Sequence, residues 1–332
     1  MIPLAATYRD AGVKIGAADQ WLRRMRPLVA RTRRPGVLAD RGQFAGLFRM
    51  RALRLRDPVL VASADGVGTK LLLARRPEDY ETLGIDLVAM NVNDVLVYGA
   101  APVLFLDYLA VGALHPQRMT RVLSGIARGC QESGCVLLGG ETAEMPDVYH
   151  AGAFDLAGFC VGAVERRRLL DGSRVQAGDA IVGLASSGVH ANGVSLVRGA
   201  LSKANLARLR PHVMVPTRIY VTPVLELLRR VRVHALAHVT GGGLARRVPS
   251  LVGRRPALRA RLEAGTWTIP PIFRAIQRVG GVSKTEMFRT FNMGIGFALV
   301  CPAHETSTVI RIAASHRLPA WVIGRIERVR SR

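Results

Sequence analysis

The hexapeptide Asp65-Gly66-Val67-Gly68-Thr69-Lys70 gathers a carboxylate, two glycines, a hydroxyl and an ammonium group. A carboxylate can hold a divalent cation, glycines let backbone N–H groups approach an anion, and a lysine places a point charge on a phosphate. Together these are the tools of phosphoryl chemistry. The spacing is not that of the P-loop, whose glycines lie further apart and whose lysine is followed directly by Ser or Thr. Taken alone, the hexapeptide also suits a tight glycine turn with a solvated Asp and Lys.

Polar clusters of the same kind recur downstream. The run Gly84 to Gly99 reads as a mostly apolar helix with a glycine C-cap, yet it contains Asp86, Asn93 and Asp94. Asn93 and Asp94 follow Asp86 by about two helical turns, so one face can present all three. An ionised carboxylate in an apolar segment needs a cation or hydrogen bonds. That makes Asp94 a candidate metal ligand, with a buried cap or salt bridge as the alternative. Cys135 to Leu138 reads as a buried strand that runs into Gly139-Gly140-Glu141-Thr142, another glycine turn beside an acid. Asp65, Asp94 and Glu141 could together bind Mg²⁺, which favours carboxylates plus substrate phosphates. Ser186 to Gly193 forms a polar loop between apolar elements. In it, His190 suits a general acid or base, or a donor to a developing anion, with a local structural histidine as the alternative. Thr240-Gly241-Gly242-Gly243 follows the strand His234 to Val239 and is expected to open a helix, the kind of end that receives anions.

The elements that must position these residues follow from hydrophobic periodicity. Pro58 to Ala62 is expected to be a strand leading into the Asp65 turn. Val103 to Val111 and Phe154 to Val164 read as strands, Pro116 to Ser133 as an amphipathic helix, and Asp19 to about Arg33 as a basic helix. The loop Asp40 to Phe48 mixes glycine with aromatics. Turn-rich sequence from Asp171 to Asp179 marks a boundary near residue 168. Two domains, 1–168 and 169–332, follow. Phe297 to Val300 is expected to be the last strand.

A chain of 332 residues, 49% of them hydrophobic, can bury the cores of two ordinary domains. Its 47 Lys plus Arg against 24 Asp plus Glu give a formal charge of +23. Such an excess raises the question of a polyanionic partner. Only 5% of residues are aromatic, and none are interleaved with the arginines as a stacking platform requires. A specific nucleic-acid site is therefore not expected. Cys130, Cys135, Cys160 and Cys301 show no zinc spacing and read as reduced core residues of a cytoplasmic protein. The residues after Met1 lack a basic n-region and a long apolar run, and no stretch approaches membrane-spanning length.

Taken jointly and in order, these motifs resemble one family. They are DGVGTK at 65 to 70, GIDLVAM and VND within 84 to 94, FLDY at 105 to 108, GGETAEMP at 139 to 146, AGFCVG at 157 to 162, SSGVHANG at 186 to 193, PTRIYV at 216 to 221, TGGG at 240 to 243 and RTFNMGIG at 289 to 296. The chain is similar to the aminoimidazole ribonucleotide synthetases, or phosphoribosylformylglycinamidine cyclo-ligases, of purine biosynthesis. The resemblance implies an N-terminal α+β domain whose sheet pairs across a homodimer, and a C-terminal α/β domain. It implies ATP and Mg²⁺ as cofactors, and formylglycinamidine ribonucleotide as the substrate closed to 5-aminoimidazole ribonucleotide. On this reading Asp65, Asp94 and Glu141 handle metal and triphosphate, and Gly66, Gly68, Thr69 and Lys70 contact phosphate. Asn93 and Thr142 join the nucleotide site, and His190, Lys70 and Asp94 act in catalysis.

The chain departs from the family pattern at Lys14, Gly16, Arg26, Ala101, Arg246, Arg247 and Ser250, and between Leu201 and Pro216 its linker is short. Selenophosphate synthetases would need a reactive Cys near the N-terminus, and thiamine monophosphate kinases carry Gly-Gly-Asp where this chain has Gly139-Gly140-Glu141. A catalytically impaired relative kept as a basic nucleotide- or RNA-binding protein is the alternative of a different class.

Overall fold

The computed structural model describes residues 15–38, 45–253 and 255–329. Lys14 and most of the Asp40 to Phe48 loop lie outside the described residues. The first half runs α1 (Ile15–Ala30), β1 (Pro58–Gly66), α2 (Pro77–Leu96), β2 (Ala101–Val111), α3 (Pro116–Ser133), β3 (Val136–Glu144) and β4 (Phe154–Glu165). Its sheet has the order β1-β4-β2-β3. β4 is antiparallel to both neighbours, and β2 and β3 are parallel, joined by α3 as the crossover.

The second half runs β5 (Ala180–Ala185), α4 (Val194–Ala200), α5 (Lys203–Val213), α6 (Val221–Arg230), β6 (Ala235–His238), α7 (Gly243–Arg247), β7 (Leu258–Leu262), α8 (Pro271–Gly280), α9 (Lys284–Thr290), β8 (Ile295–Cys301), α10 (Thr306–Ser315) and β9 (Ala320–Arg328). Its sheet, β6-β8-β5-β9-β7, is antiparallel throughout. β8 is therefore not the last strand. β9 follows it and fills the place between β5 and β7.

Helix α2 is the centre of the molecule. Pro77 begins it, and the Asp79 carboxylate accepts the N–H groups of Arg75 (2.8 Å) and Arg76 (2.9 Å), satisfying donors that a helix start leaves open. From Leu83 to Asn93 every residue is buried, because one side packs on the first sheet and α3 while the other meets α6 and β6. A helix buried all round needs a use for each polar residue it carries. Asn91 donates to Leu87 O (2.9 Å) and Asp65 O (3.2 Å), while Asn93 donates to Arg218 O (2.9 Å) and accepts the Tyr220 N–H (2.9 Å). These bonds tie β1 and the segment before α6 to one helix.

The approach of α2 to α3 depends on paired glycines. A Cβ at Gly84 would strike Val122 O, and one at Gly125 would strike Glu81 O. Backbone lies opposite in both cases, so no side chain can give way. Gly125→Ala is expected to lower stability by about 1–3 kcal/mol through overpacking. A urea midpoint unchanged from wild type would contradict that.

Candidate active site

β1 places Asp65 directly opposite Gly158 on β4, on the face that looks toward α2. The turn that follows is anchored by Val67, which is 1% exposed, and Gly68 takes φ +61°, a conformation that favours glycine. Asp65 Oδ1 accepts the Gly66 N–H at 2.8 Å. Burial raises the Asp65 carboxyl above the usual carboxylate range, the Gly66 N–H opposes this, and the nearby Asp94 charge adds to the rise. His238 and Arg247 lie close enough to lower it again.

Asp94, near the C-terminal end of α2, meets His238 at the end of β6, Oδ1 to Nδ1 2.8 Å. The Asp94 side chain is 39% exposed and that of His238 1%. Both face a polar cleft of about 300 Å³, lined also by Ser63, Arg247 and Ser250. Two of the departures from the family pattern thus stand on the wall of this cleft. Arg247 donates to Gly241 O at 3.1 Å, which holds its guanidinium beside the glycine turn. That turn opens only the five-residue α7 rather than a long helix.

Lys70 is placed differently from the expectation. The segment Gly68–Leu73 winds as a 3₁₀ helix and turns the side chain inward, where it is fully buried. Its Nζ binds Asp86 Oδ2 (2.8 Å) and Val215 O (2.9 Å), so it contacts no open surface. Asp86 Oδ1 in turn accepts the Thr217 N–H (2.7 Å) and hydroxyl (2.6 Å). Lys70 is a buried clamp, and the phosphate contact assigned to it is corrected. Asn93, whose amide is committed to Arg218 and Tyr220, is likewise a tie between segments rather than a nucleotide contact.

Glu141 is also corrected as a co-ligand of Asp65 and Asp94. Period-two alternation decides this. A Cβ on Gly140 would meet Asp107 Oδ1, and one on Gly139 would meet Leu106, so Gly140 and Thr142 face the helices and Glu141 faces outward. Thr142 accepts the Trp21 indole N–H at 3.1 Å on that inner side. Glu141 stands on β3, three strand spacings or about 14 Å from β1, on the other face of the sheet. Among the described residues, no group of three or more His, Cys, Asp or Glu side chains is arranged to hold a metal ion. Thr69 is half-buried, and its hydroxyl lies 2.8 Å from that of Ser195 on α4.

His190 sits in the β5 to α4 loop at φ +64°. Its Nε2 accepts the Ser187 N–H at 3.2 Å, while its Nδ1 is buried with no partner among the described residues. Burial pushes the imidazole well below its usual range, and the nearby His238, Lys70 and Arg218 act in the same sense. The ring is therefore neutral, and since Nε2 accepts, its proton is on Nδ1. His238 Nε2, Ser186 Oγ and Arg218 Nε are also buried without partners among the described residues. Such orphans concentrate here, where the two halves meet, and mark a place for a polar guest.

One member of the site, His238, and one buried carboxylate of the first sheet, Asp107, are not apparent from the sequence. His238 is the last residue of a strand whose other members, Ala235, Leu236 and Ala237, are apolar. A lone histidine ending such a run just before Val239 and the glycine turn was the available signal. Asp107, paired across β2 with Gly158 and Gly140, is buried, and burial pushes its carboxyl up to about 7. Because its folded pKa is raised, the native state holds a proton that the unfolded chain releases near pH 4. Native stability is expected to fall as pH rises from about 4 to about 7, and to level off above. Asp107→Asn should flatten that slope in urea titrations, and an unaltered slope would contradict the assignment.

Residues 46–164 match the family model for AIR synthase related protein, N-terminal domain, and 176–331 match that for its C-terminal domain. The phosphoribosylformylglycinamidine cyclo-ligase of Xylella fastidiosa is 49% identical over 330 residues, covering 96% of this chain and 93% of that one. The Nitrosococcus oceani enzyme of the same name is 48% identical over 328 residues, covering 96% and 91%. In fold, the chain is similar to thiamine-monophosphate kinase from Stenotrophomonas maltophilia, with TM-score 0.70, 23% identity and 94% of each chain covered. It is also similar to hydrogenase maturation protein HypE in complex with ATP, with TM-score 0.64, 17% identity, and 96% and 88% covered. With such identity along nearly its whole length, the chain belongs to the phosphoribosylformylglycinamidine cyclo-ligase family.

Proposed function

We propose that this protein is the ATP-dependent cyclo-ligase that closes formylglycinamidine ribonucleotide to 5-aminoimidazole ribonucleotide in purine biosynthesis, releasing ADP and phosphate. The observation that carries this reading is the nearness of the Asp65 carboxylate, on β1, to that of Asp94, on α2 at the polar cleft, in a chain 49% identical to a curated cyclo-ligase. The chemistry needs an activated carbonyl. An amide-type oxygen is a poor leaving group, so transfer of the ATP γ-phosphoryl group to it creates one. The amidine nitrogen then attacks the carbon, the C–O bond to phosphate breaks, and a proton leaves the nitrogen. Holding both groups in one site makes closure effectively unimolecular.

The residues divide the work. His190 Nδ1–H suits donation to the oxygen as charge develops there, and His238 fixes the Asp94 carboxylate through Oδ1. Arg247, half-buried beside Asp65, is the cation placed to meet phosphate in the role Lys70 cannot fill. Gly66, Gly68 and Thr69, in the turn that follows Asp65, would add phosphate contacts. Two close carboxylates, one of them already raised, fit a divalent cation. Asp65 and Asp94 would hold Mg²⁺, whose chemistry is to offset charge on the transferring phosphoryl group.

The outer face of the first sheet exposes Leu60 (56%), Phe159 (42%) and Leu106 (37%) on neighbouring strands. A patch of this kind on a sheet suits an interface. A second copy of the chain is the occupant this reading assigns, with units 1–168 and 169–332 in each copy. No helix among the described residues is long and apolar enough to cross a membrane. A cytoplasmic setting suits the reaction.

The test is ADP and aminoimidazole formation by purified protein with Mg·ATP, with and without formylglycinamidine ribonucleotide. ADP and product in equal amounts, only with the nucleotide substrate, is the expected result. ATP turnover without ring closure would overturn it.

A further inference from the structure

A second cavity lies away from the Asp94 cleft. It has a volume of about 650 Å³ and opens between the two halves, at the end of β6 opposite to His238. One wall comes from the start of β2, the end of β4 and the segment after it, and the other from α6 and the chain leading into β6. Its floor is apolar: Leu170 and Val233 are buried, and Leu225 and Leu228 are half-buried. Its rim is cationic, with the exposed side chains of Arg168, Arg174, Arg229 and Arg232.

Most guanidinium groups of that rim lack a direct ion pair, although Glu165, Asp171 and Glu226 feel the charges of Arg168, Arg174 and Arg229, and Arg174 donates to Arg167 O at 3.1 Å. Arg168, Arg174 and Arg229 form no ion pair among the described residues, whereas neighbours that point elsewhere do, Arg166 with Asp57 and Arg230 with Glu226. Arg232 leans on Glu305 at 3.6 Å. The one carboxylate in the lining, Glu165, accepts the N–H groups of Arg56 (2.9 Å) and Asp57 (3.1 Å). His234 is held by Asp179 at 2.8 Å. An apolar floor under several exposed guanidinium groups, most without a direct ion pair, suits a ligand with a flat apolar body at one end and multiple negative charges at the other. Inorganic phosphate would use only the rim, and a fatty carboxylate would bring a single charge. The volume matches a small-molecule site.

We propose that this cavity is a second nucleotide site, distinct from the catalytic cleft, which binds a nucleoside monophosphate with its base on the apolar floor and its phosphate on the arginine rim. Binding there modulates turnover through β6. Val233 and His234 line the cavity at one end of that strand, and His238 holds Asp94 at the other. The strand between them spans only four residues, about 13 Å. A ligand that drew the two walls together would move the histidine that orients Asp94.

The experiment is calorimetric titration of the full chain with AMP, GMP, ribose 5-phosphate and inorganic phosphate, with the catalytic site filled by Mg²⁺ and a non-hydrolysable ATP analogue. The expected result is one further site per chain for a nucleoside monophosphate, with ribose 5-phosphate and phosphate binding more weakly. The double variant Arg168→Glu/Arg229→Glu should weaken that binding about ten- to hundredfold or more. It should leave KM for ATP and kcat without effector unchanged, and should abolish the effect of AMP or GMP on turnover. Both positions are exposed, so folding is not at stake, and an unaltered thermal transition checks this. Absence of a second site, equal binding by the double variant, or phosphate binding as tightly as either nucleotide would each overturn the proposal. The titration does not require turnover. Failure of the analogue to bind would count against the cyclo-ligase reading and not against the cavity.

Discussion

Replacing Lys70 by methionine is expected to lower the unfolding free energy by about 3–5 kcal/mol, because it leaves the Asp86 carboxylate uncompensated in the interior. Neither side chain has any exposed surface, and Nζ lies 2.8 Å from Asp86 Oδ2. The pair does more than neutralise itself. Lys70 also binds Val215 O, and Asp86 binds Thr217, so the turn after β1, helix α2 and the segment before α6 are joined at one point. Against a total stability of about 5–15 kcal/mol, a loss of this size is large. Removing both charges, as Lys70→Met/Asp86→Leu, should recover most of it, since an apolar pair has no desolvation cost to offset. Urea unfolding of the single and double variants decides. A Lys70→Met protein of unchanged stability with a raised KM for ATP would return Lys70 to the phosphate.

Asp94→Asn is expected to do the opposite. Asparagine keeps the shape of the side chain and can still accept a hydrogen bond from His238 Nδ1 through its amide oxygen. The residue is partly exposed, so the stability cost should stay within about 1 kcal/mol. Turnover should fall by about 10²- to 10⁴-fold, the range for removing a charged group that acts on the reacting centre. Paired measurements of kcat and of the urea midpoint separate the two effects. Equal losses in both would make Asp94 a structural partner of His238 and nothing more.

The two predictions turn on a contrast that was only half legible in the sequence. Asp86, Asn93 and Asp94 were visible as polar residues in an apolar helix, and the structure confirms that each has a specific partner. Which partner each has was not visible, because His238, Arg218 and Thr217 lie 125 to 144 positions away along the chain. The Asp65 turn was legible as a glycine turn after a strand. The direction of Lys70 was not, because the six-residue 3₁₀ helix Gly68–Leu73 turns its side chain toward the core. Glu141 was misjudged by one residue of alternation: Gly140 shares a face with Asp107, and its neighbour therefore cannot.

Strands β7 and β9 were missed for a compositional reason. In Leu258-Arg259-Ala260-Arg261-Leu262 the alternation is clean, but arginines on the solvent side masked it in a chain rich in arginine. Their charge is answered across the sheet, where Arg259 and Arg261 meet Glu327 of β9. The architecture was reachable only because many short motifs recur in one order, which no local rule of periodicity supplies.

On the proposed mechanism the carbonyl oxygen of the substrate becomes a phosphate ester before the ring closes. This step is tested most directly by carrying a heavy oxygen isotope in the formyl group of formylglycinamidine ribonucleotide, and following it by mass spectrometry through a single turnover with unlabelled Mg·ATP in unlabelled water. The label is expected in the inorganic phosphate, one labelled phosphate for each aminoimidazole ring formed. Label released to water, with none in phosphate, would contradict it.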